Sequence, residues 1–395
     1  MSKYPFSTWI YNPLSDFTPD VLEVWAHAGM NVPMTPKMYY GKDDPTSLIP
    51  WLDKAEALGM QLIINYEDVS YGDYIRIGAE EYERRLSEIY NVLKGHPALY
   101  GFYVGDEPDS AEELEATVQC YKINRKVAPE LKAYTNLIGT MPRKGPEFFG
   151  GRTLTEWFKY FKEETGVQIL SQDLYNPLIN DISVGWHFEE VKTMVEAAEA
   201  AGVELWANML CSGHDAFRAP SELDIRWQIN VNAAVGCRGG IWFRMYDRAL
   251  GNEYHGSPID EYGNKTEAYY GMCRSQRRFT DHYGELLMSL KRQSTYMTGK
   301  DRGVYPMLTD DAHDLVKIDG YEEGVVSFYT AEDGKEYICM VNASMQFLAT
   351  WKFEFDSEKC SVNEVLFNGT VTRPMENLGQ VLYAGQMRMY RIDRK

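Results

Sequence analysis

Eight short runs rich in β-branched and aromatic residues recur along roughly the first 280 positions, each followed by an amphipathic stretch rich in Glu, Ala, Leu and Lys. They read FSTWIY (6–11), NVPMTP (31–36), QLIINYED (61–68), LYGFYVGDE (99–107), KAYTNLI (132–138), VQILSQDLY (167–175), VELWANML (203–210) and GGIWFRMY (239–246). From the second run onward the strand ends fall near 36, 68, 106, 139, 173, 210 and 246, at intervals of 32 to 38 residues. Strand-length runs alternating with helix-length stretches are the pattern of βαβ units, whose strands lie parallel in one sheet. An interval this regular leaves a solenoid or an eightfold barrel. A solenoid repeats its sequence from unit to unit, whereas here the similarity goes no further than helix ends of the type Ala26–Gly29, Ala55–Gly59 and Ala198–Gly202. A doubly wound dinucleotide-binding sheet would carry Gly-x-Gly-x-x-Gly after its first strand, and that pattern is missing. The expected fold is therefore α/β, a (βα)8 TIM barrel over residues 1–295.

Start and stop signals place the intervening helices. Thr18-Pro19 opens one that stops at Gly29, and Asp109-Ser110 opens the stretch AEELEATVQCYKINRK. HFEEVKTMVEAAEAAG (187–202) sets Phe188, Val191, Val195 and Ala198 on one stripe and ends at Gly202, and the long stretch 265–292 is expected to close the barrel. From about 296 the period changes from helical to two, with turn residues between the runs. Asp333-Gly334 and Asn368-Gly369 fit tight hairpins, so residues 296–395 are expected to form a small antiparallel β-sandwich. A chain of 395 residues has room for one large domain and one small one.

Composition excludes several partners. With 40 Lys and Arg against 58 Asp and Glu the net charge is −18, and basic runs no longer than Arg277-Arg278 or Lys291-Arg292 do not neutralise a phosphate backbone, so no nucleic acid is expected. No apolar run approaches the roughly 20 residues that span a bilayer, and MSKYPFSTW is not built like a leader peptide. No membrane is expected, and the cytoplasm is the expected location, or the periplasm or exterior where a leader has been removed. Six cysteines with no Cys-x-x-Cys pair are expected to be reduced and mostly buried. The histidines form no metal-ligand spacing, and no phosphate loop, Gly-x-Ser-x-Gly elbow or His-Glu-x-x-His motif is present, so neither a metal nor a cofactor is expected.

In a (βα)8 barrel the reactive side chains stand at the C-terminal ends of the strands. The fourth run ends in Gly105-Asp106-Glu107-Pro108, two adjacent carboxyls on a chain about to turn. Acidic residues ahead of a helix also favour its positive N-terminus, which is the structural alternative. Against that alternative, Gly105 allows close backbone approach and the apolar run before it places charge where little solvates it. Environments that separate the pKa values of two carboxyls serve acid/base catalysis.

The stretch HPALYGFYVGDEPD (96–109) resembles the fourth-strand motif of retaining (βα)8 glycoside hydrolases of the clan A type, in which a Glu before Pro is the general acid/base. The resemblance extends to the eight-strand order, the aromatic eighth run, the Asp260–Tyr269 loop and the C-terminal β-sandwich. It implies a glycosidase with Glu107 as general acid and an oligosaccharide or polysaccharide as substrate. That clan takes its nucleophile from a Glu at the end of the seventh strand, whereas here VELWANMLC carries its only Glu, Glu204, at the opposite end. Three alternatives stay open. As in barrel hexosaminidases with an Asp-Glu pair, Asp106 orients the substrate's own acetamido group as nucleophile and Tyr175 holds the acetamido oxygen. Or another carboxylate at the mouth (Glu67, Asp68, Asp173 or Asp247) acts as nucleophile at about 5–5.5 Å or as inverting base at about 6.5–9.5 Å. Or the barrel has lost catalysis and binds carbohydrate.

Sugar rings pack their C–H faces on aromatic rings, so Trp9, Tyr66, Trp206, Trp242 and Tyr246, at or near strand ends, are candidate platforms, each with barrel core as its structural alternative. Asn208 and Arg244 are candidate donors to hydroxyls or carboxylates, with a buried ion pair as the alternative for Arg244. Asp173 and Tyr175 in SQDLYNP equally suit a turn before Pro177, and Glu67 equally suits a solvated loop.

Overall fold

The computed structural model describes residues 3–247, 254–375 and 379–395. Seven parallel strands form one sheet in the order Phe6–Thr8, Gly239–Phe243, Glu204–Leu210, Ile169–Asp173, Lys132–Leu137, Leu99–Asp106 and Leu62–Ile64. Seven of the eight expected runs are therefore strands, each shorter than or equal to its run.

The exception is NVPMTP. Pro33 and Pro36 have no N–H to give to a ladder, so residues 31–36 form no regular strand. The segment is nevertheless held on both sides. Asn31 and Val32 donate their N–H groups to the Phe6 carbonyl at 3.1 and 3.0 Å, and Thr35 donates to the Ile63 carbonyl at 2.9 Å.

Strand alternation sorts the side chains into two layers. Ile63, Tyr134, Ile169, Trp206 and Ile241 join Trp9, Val32 and Met34 in one cluster within the curve of the sheet. Their neighbours Leu62, Ile64, Leu170, Leu205, Ala207 and Trp242 belong to the larger core between sheet and helices. Helix Ala111–Val127 starts at the expected Ser110, whose hydroxyl accepts from the Glu113 N–H. The helix expected from 187 begins earlier, at Asp181, because the Asn180 side chain accepts from the Ser183 N–H and caps it there. The stretch expected to close the barrel is helical as far as Ser289: helix Glu267–Phe279 passes through a π turn at Thr280–Gly284 into Glu285–Ser289, and strand Leu290–Thr298 follows.

That strand is the edge of a six-stranded antiparallel sheet ordered Leu290–Thr298, Gly324–Ala331, Glu336–Asn342, Met387–Arg394, Cys360–Phe367 and Val371–Pro374. A second antiparallel sheet joins Val316–Gly320, Ala349–Phe355 and Gly379–Leu382. Val326, Ile338 and Tyr390 from the first share a buried cluster with Ile318, Trp351 and Leu382 from the second. Both expected hairpins occur, Gly334 at φ +82° and the Asn368-Gly369 pair at +46° and +67°. All six cysteines are free and buried. Among the described residues no helix is long and apolar enough to cross a membrane.

Candidate active site

The Leu99–Asp106 strand does not run straight to its end. Its register against Lys132–Leu137 slips between Tyr103 and Gly105, a bulge that re-aims the side chains beyond it. Gly105 then takes φ +156° and Glu107 takes +48°, so the chain turns at the point where the two carboxyls meet the cavity. Two bonds hold the turn: the Glu107 N–H donates to the Asn136 carbonyl at 2.9 Å, and the Tyr71 hydroxyl donates to the Asp106 carbonyl at 2.6 Å. Between Gly105 and the Tyr71 ring there is no space for a side chain, since a Cβ there would lie 2.2 Å from the ring.

A cavity of about 470 Å³ opens at this end of the sheet, lined among others by Trp9, Tyr11, Asp106, Glu107, Asn136, Asp173, Tyr175 and Asn208. Three carboxyls meet in it. The Asn136 side-chain amide donates to both Asp106 Oδ1 at 3.1 Å and Asp173 Oδ1 at 2.7 Å. Asp173 Oδ1 also accepts from the Asn208 amide at 2.7 Å, and the Glu107 carboxyl lines the same cavity. Asn136 is itself fixed from below, its Oδ1 accepting from Ser171 Oγ at 2.7 Å, with Tyr134 Oη 2.6 Å from the same hydroxyl.

Burial dominates the electrostatics. It pushes Asp106 up to about 7, with the Glu107 charge adding to the rise and the Asn136 bond and Lys37 opposing it. Burial, the neighbouring Glu107 carboxyl and the Asp106 charge hold Asp173 well above the usual carboxylate range. A further carboxyl lining the cavity, Glu190, is pushed by burial to about 7 although Arg143 pairs with it at 2.7 Å and Asn176 donates to it.

The opposite wall is aromatic. His214 stacks on Tyr254 with ring centres 5.0 Å apart and lies 5.1 and 5.3 Å from Phe217 and Phe243. Burial lowers His214, so the ring is neutral near pH 7. The buried Arg244 guanidinium lies 4.6 Å from the Tyr254 ring centre and 5.4 Å from that of Tyr11. Three buried polar atoms of lining residues, Trp9 Nε1, Asn208 Oδ1 and His214 Nδ1, have no hydrogen-bond partner.

Of the residues singled out in the sequence, Asp106, Glu107, Trp9, Asp173, Tyr175 and Asn208 line this one cavity, and Arg244 packs against its wall. The others lie elsewhere. Tyr66 is core and donates to the Asp43 carbonyl. Glu67 pairs with Lys37 at 2.7 Å. Trp206 is buried within the curve of the sheet beside Tyr134. Trp242 points to the helix side, its Nε1 donating to Gln276 at 2.7 Å, and Tyr246 accepts from Trp25 Nε1 at 2.8 Å. Alternation along its strand sends Trp242 to the helix side, and Trp206, on the same face as Asn208 but two residues before it, is buried below the cavity. Tyr11, Asn136, Phe217, Phe243 and Tyr254 were not singled out, although Tyr11, Asn136 and Phe243 stand at the ends of expected strands, where position alone marked them. Among the described residues no group of three or more His, Cys, Asp or Glu side chains is arranged to hold a metal ion.

No protein-family model matches the chain, and no curated protein matches it. Solved structures do. A glycoside hydrolase superposes with a TM-score of 0.61 at 9% identity, over 99% of this chain and 92% of the other. A family 30 subfamily 8 xylanase from Clostridium acetobutylicum gives 0.52 at 12% identity, over 100% and 97%. A β-galactosidase from the psychrophilic Marinomonas ef1 gives 0.53 at 12% identity over 72% of this chain, which spans 62% of that protein. At these identities the likeness is one of fold.

Proposed function

We propose that this chain is a glycosidase on a (βα)8 barrel, with Glu107 as general acid/base and Asp106 assisting, acting on N-acetylhexosaminides with the substrate's acetamido group as nucleophile. The observation that carries the reading is the meeting of Asp106, Glu107 and Asp173 at the mouth, facing an aromatic wall. Fold-level likeness to glycoside hydrolases supports the reaction class. In the proposed step the Glu107 O–H bond breaks and its proton goes to the glycosidic oxygen. The C1–O bond breaks toward that oxygen as the acetamido oxygen attacks C1. Asp106 accepts from the acetamido N–H, and Tyr175 donates to the acetamido oxygen. Water then opens the cyclic intermediate, losing a proton to the Glu107 carboxylate.

Glu107→Gln removes the proton and keeps the shape, so turnover of an unactivated glycoside should fall by roughly 10² or more. Unchanged turnover removes Glu107 from the mechanism. A panel of aryl glycosides tests the rest: cleavage restricted to N-acetylhexosaminides supports the role of Asp106, and equal cleavage of glucosides or galactosides overturns it. One observation favours a second reading, a barrel that binds carbohydrate without cleaving it. The Glu204–Leu210 strand leads into buried Cys211 and presents Asn208, not a carboxylate, to the cavity. Glycan binding with no cleavage of any panel member would establish that reading.

A further inference from the structure

All nine tryptophans lie among the described residues; eight are buried, and Trp186 alone stands in solvent, 45% exposed. It lies on helix Asp181–Ala201 four residues before Glu190, so the two side chains share a helix face one turn apart. Glu190 is buried and lines the cavity that holds Asp106 and Glu107. Four residues before Trp186, Ile182 is 70% exposed. One helix face therefore leads from the cavity out to solvent, first a carboxyl, then an indole, then an aliphatic side chain.

Arg143 joins the indole to the cavity. It lines the cavity itself, its Nη2 donates to Glu190 Oε1 at 2.7 Å, and its guanidinium carbon lies 5.5 Å from the Trp186 ring centre. A half-exposed arginine has rotamer freedom to lose, and here a buried carboxyl and an aromatic ring hold it at the rim. Among the described residues the bond to Glu190 is the only one its side chain makes, so Nε and Nη1 are left to donate elsewhere. Contact with Arg143 still leaves nearly half of Trp186 uncovered. An apolar face with fixed donors at its edge matches a pyranose ring, whose C–H face packs on an aromatic ring while its hydroxyls need polar partners. Two exposed apolar side chains are far less than the roughly 800 Å² that each partner buries in a stable protein interface.

We propose that Trp186 and Arg143 form a subsite for a second sugar ring, next along the glycan to the ring held at Asp106 and Glu107, so that the ligand is an oligosaccharide rather than a single sugar. The subsite rests on the reading that the cavity takes carbohydrate, and it serves that reading whether or not the glycosidic bond is cleaved. Trp186 is the apolar platform, Arg143 donates from Nε and Nη1 to hydroxyls of the second ring, and Glu190 holds Arg143 in place.

The test uses the full chain carrying Glu107→Gln, so that the sugars stay intact. N-acetylglucosamine and N-acetylgalactosamine, each as monosaccharide and as β-linked disaccharide and trisaccharide, are titrated by calorimetry. The disaccharide should bind roughly tenfold or more tightly than its monosaccharide, and adding Trp186→Ala should remove most of that gain. Adding Arg143→Lys, which keeps a charge but loses the fork, should remove part of it. Because Trp186 is exposed, its replacement leaves the core intact, and equal thermal transitions check this. Fluorescence gives a second readout, since Trp186 is the one tryptophan open to acrylamide. The trisaccharide should shield it from quenching and the monosaccharide should not, and with Trp186→Phe the sugar should make no difference. Disaccharide affinity unchanged by Trp186→Ala, or quenching unchanged by bound trisaccharide, would overturn the subsite and leave the carbohydrate reading standing. If no sugar binds, the subsite and the carbohydrate reading fall together. Quenching that is weak without sugar and rises on dilution would show a second copy covering Trp186, and that also overturns the subsite.

Discussion

Gly105 sets the geometry on which the carboxyl cluster depends. Its φ of +156° is unfavourable for a residue with a side chain, and the Tyr71 ring occupies the space a Cβ would need. Tyr71 also anchors the Asp106 carbonyl, so displacing the ring displaces the carboxyl pair. We expect Gly105→Ala to cost roughly 1–3 kcal/mol in urea unfolding and to lower kcat, with Gly105→Ala/Tyr71→Leu recovering part of the stability and none of the turnover. Equal stability of wild type and Gly105→Ala would contradict this close approach. At this scale the carboxyls were legible because Gly-Asp-Glu-Pro stands at the end of an apolar run. Asn136 was not, because an Asn in KAYTNLI carries no local sign that its amide bridges two carboxyls from strands on either side.

Helix Glu222–Val235 shows how the start of one element also holds the cavity wall. Ser221 and Asp224 form a reciprocal capping box, and the Arg218 guanidinium grips the Asp224 carboxyl at 2.6 and 2.5 Å. Arg218 follows closely on His214, Asp215 and Phe217 of the cavity wall, so the cap also tethers the loop that carries them. Burial pushes Asp224 up, but Arg218 and Ser221 more than offset it and hold the carboxyl below its ordinary value. The stabilisation is therefore complete above the unfolded-chain value of about 4 and is lost as pH falls through the lower folded value. Asp224→Asn should lower stability at pH 7 by about 1–2 kcal/mol, discounted because Arg218 is half exposed, and by less at pH 3. Urea titrations at the two pH values check this, and an equal deficit at both would show that charge has no part in it. The segment 31–36 is the opposite case, where β-branched and apolar spacing suggested a strand and two prolines removed the donors a ladder needs.

At the scale of the molecule, the same helix seats the C-terminal sheets. Trp227 Nε1 donates to the Ala343 carbonyl and the Asn230 amide to the Gly385 carbonyl, both at 2.7 Å, while the Tyr329 hydroxyl donates to the Ala234 carbonyl at 2.8 Å. Trp227 is fully buried. Its replacement by Ala should cost about 3–5 kcal/mol, and near-ultraviolet and far-ultraviolet signals should lose structure together in one thermal transition. Two separated transitions in wild type would show that the parallel sheet and the antiparallel sheets do not depend on each other.

The sequence by itself determined most of the strands and helices, because burial periodicity and capping chemistry are local, and it singled out the carboxyls at the end of the Leu99–Asp106 strand. It did not determine which partner that acid meets. Asp173 lies 66 positions from Glu107, and whether it stands across the cavity or against its neighbour depends on how parallel strands are ordered and staggered. The same holds for the aromatic residues. Trp9 lines the cavity while Trp206 and Trp242 do not, a distinction set by strand twist and pleat once the sheet has curved, and carried by no residue alone.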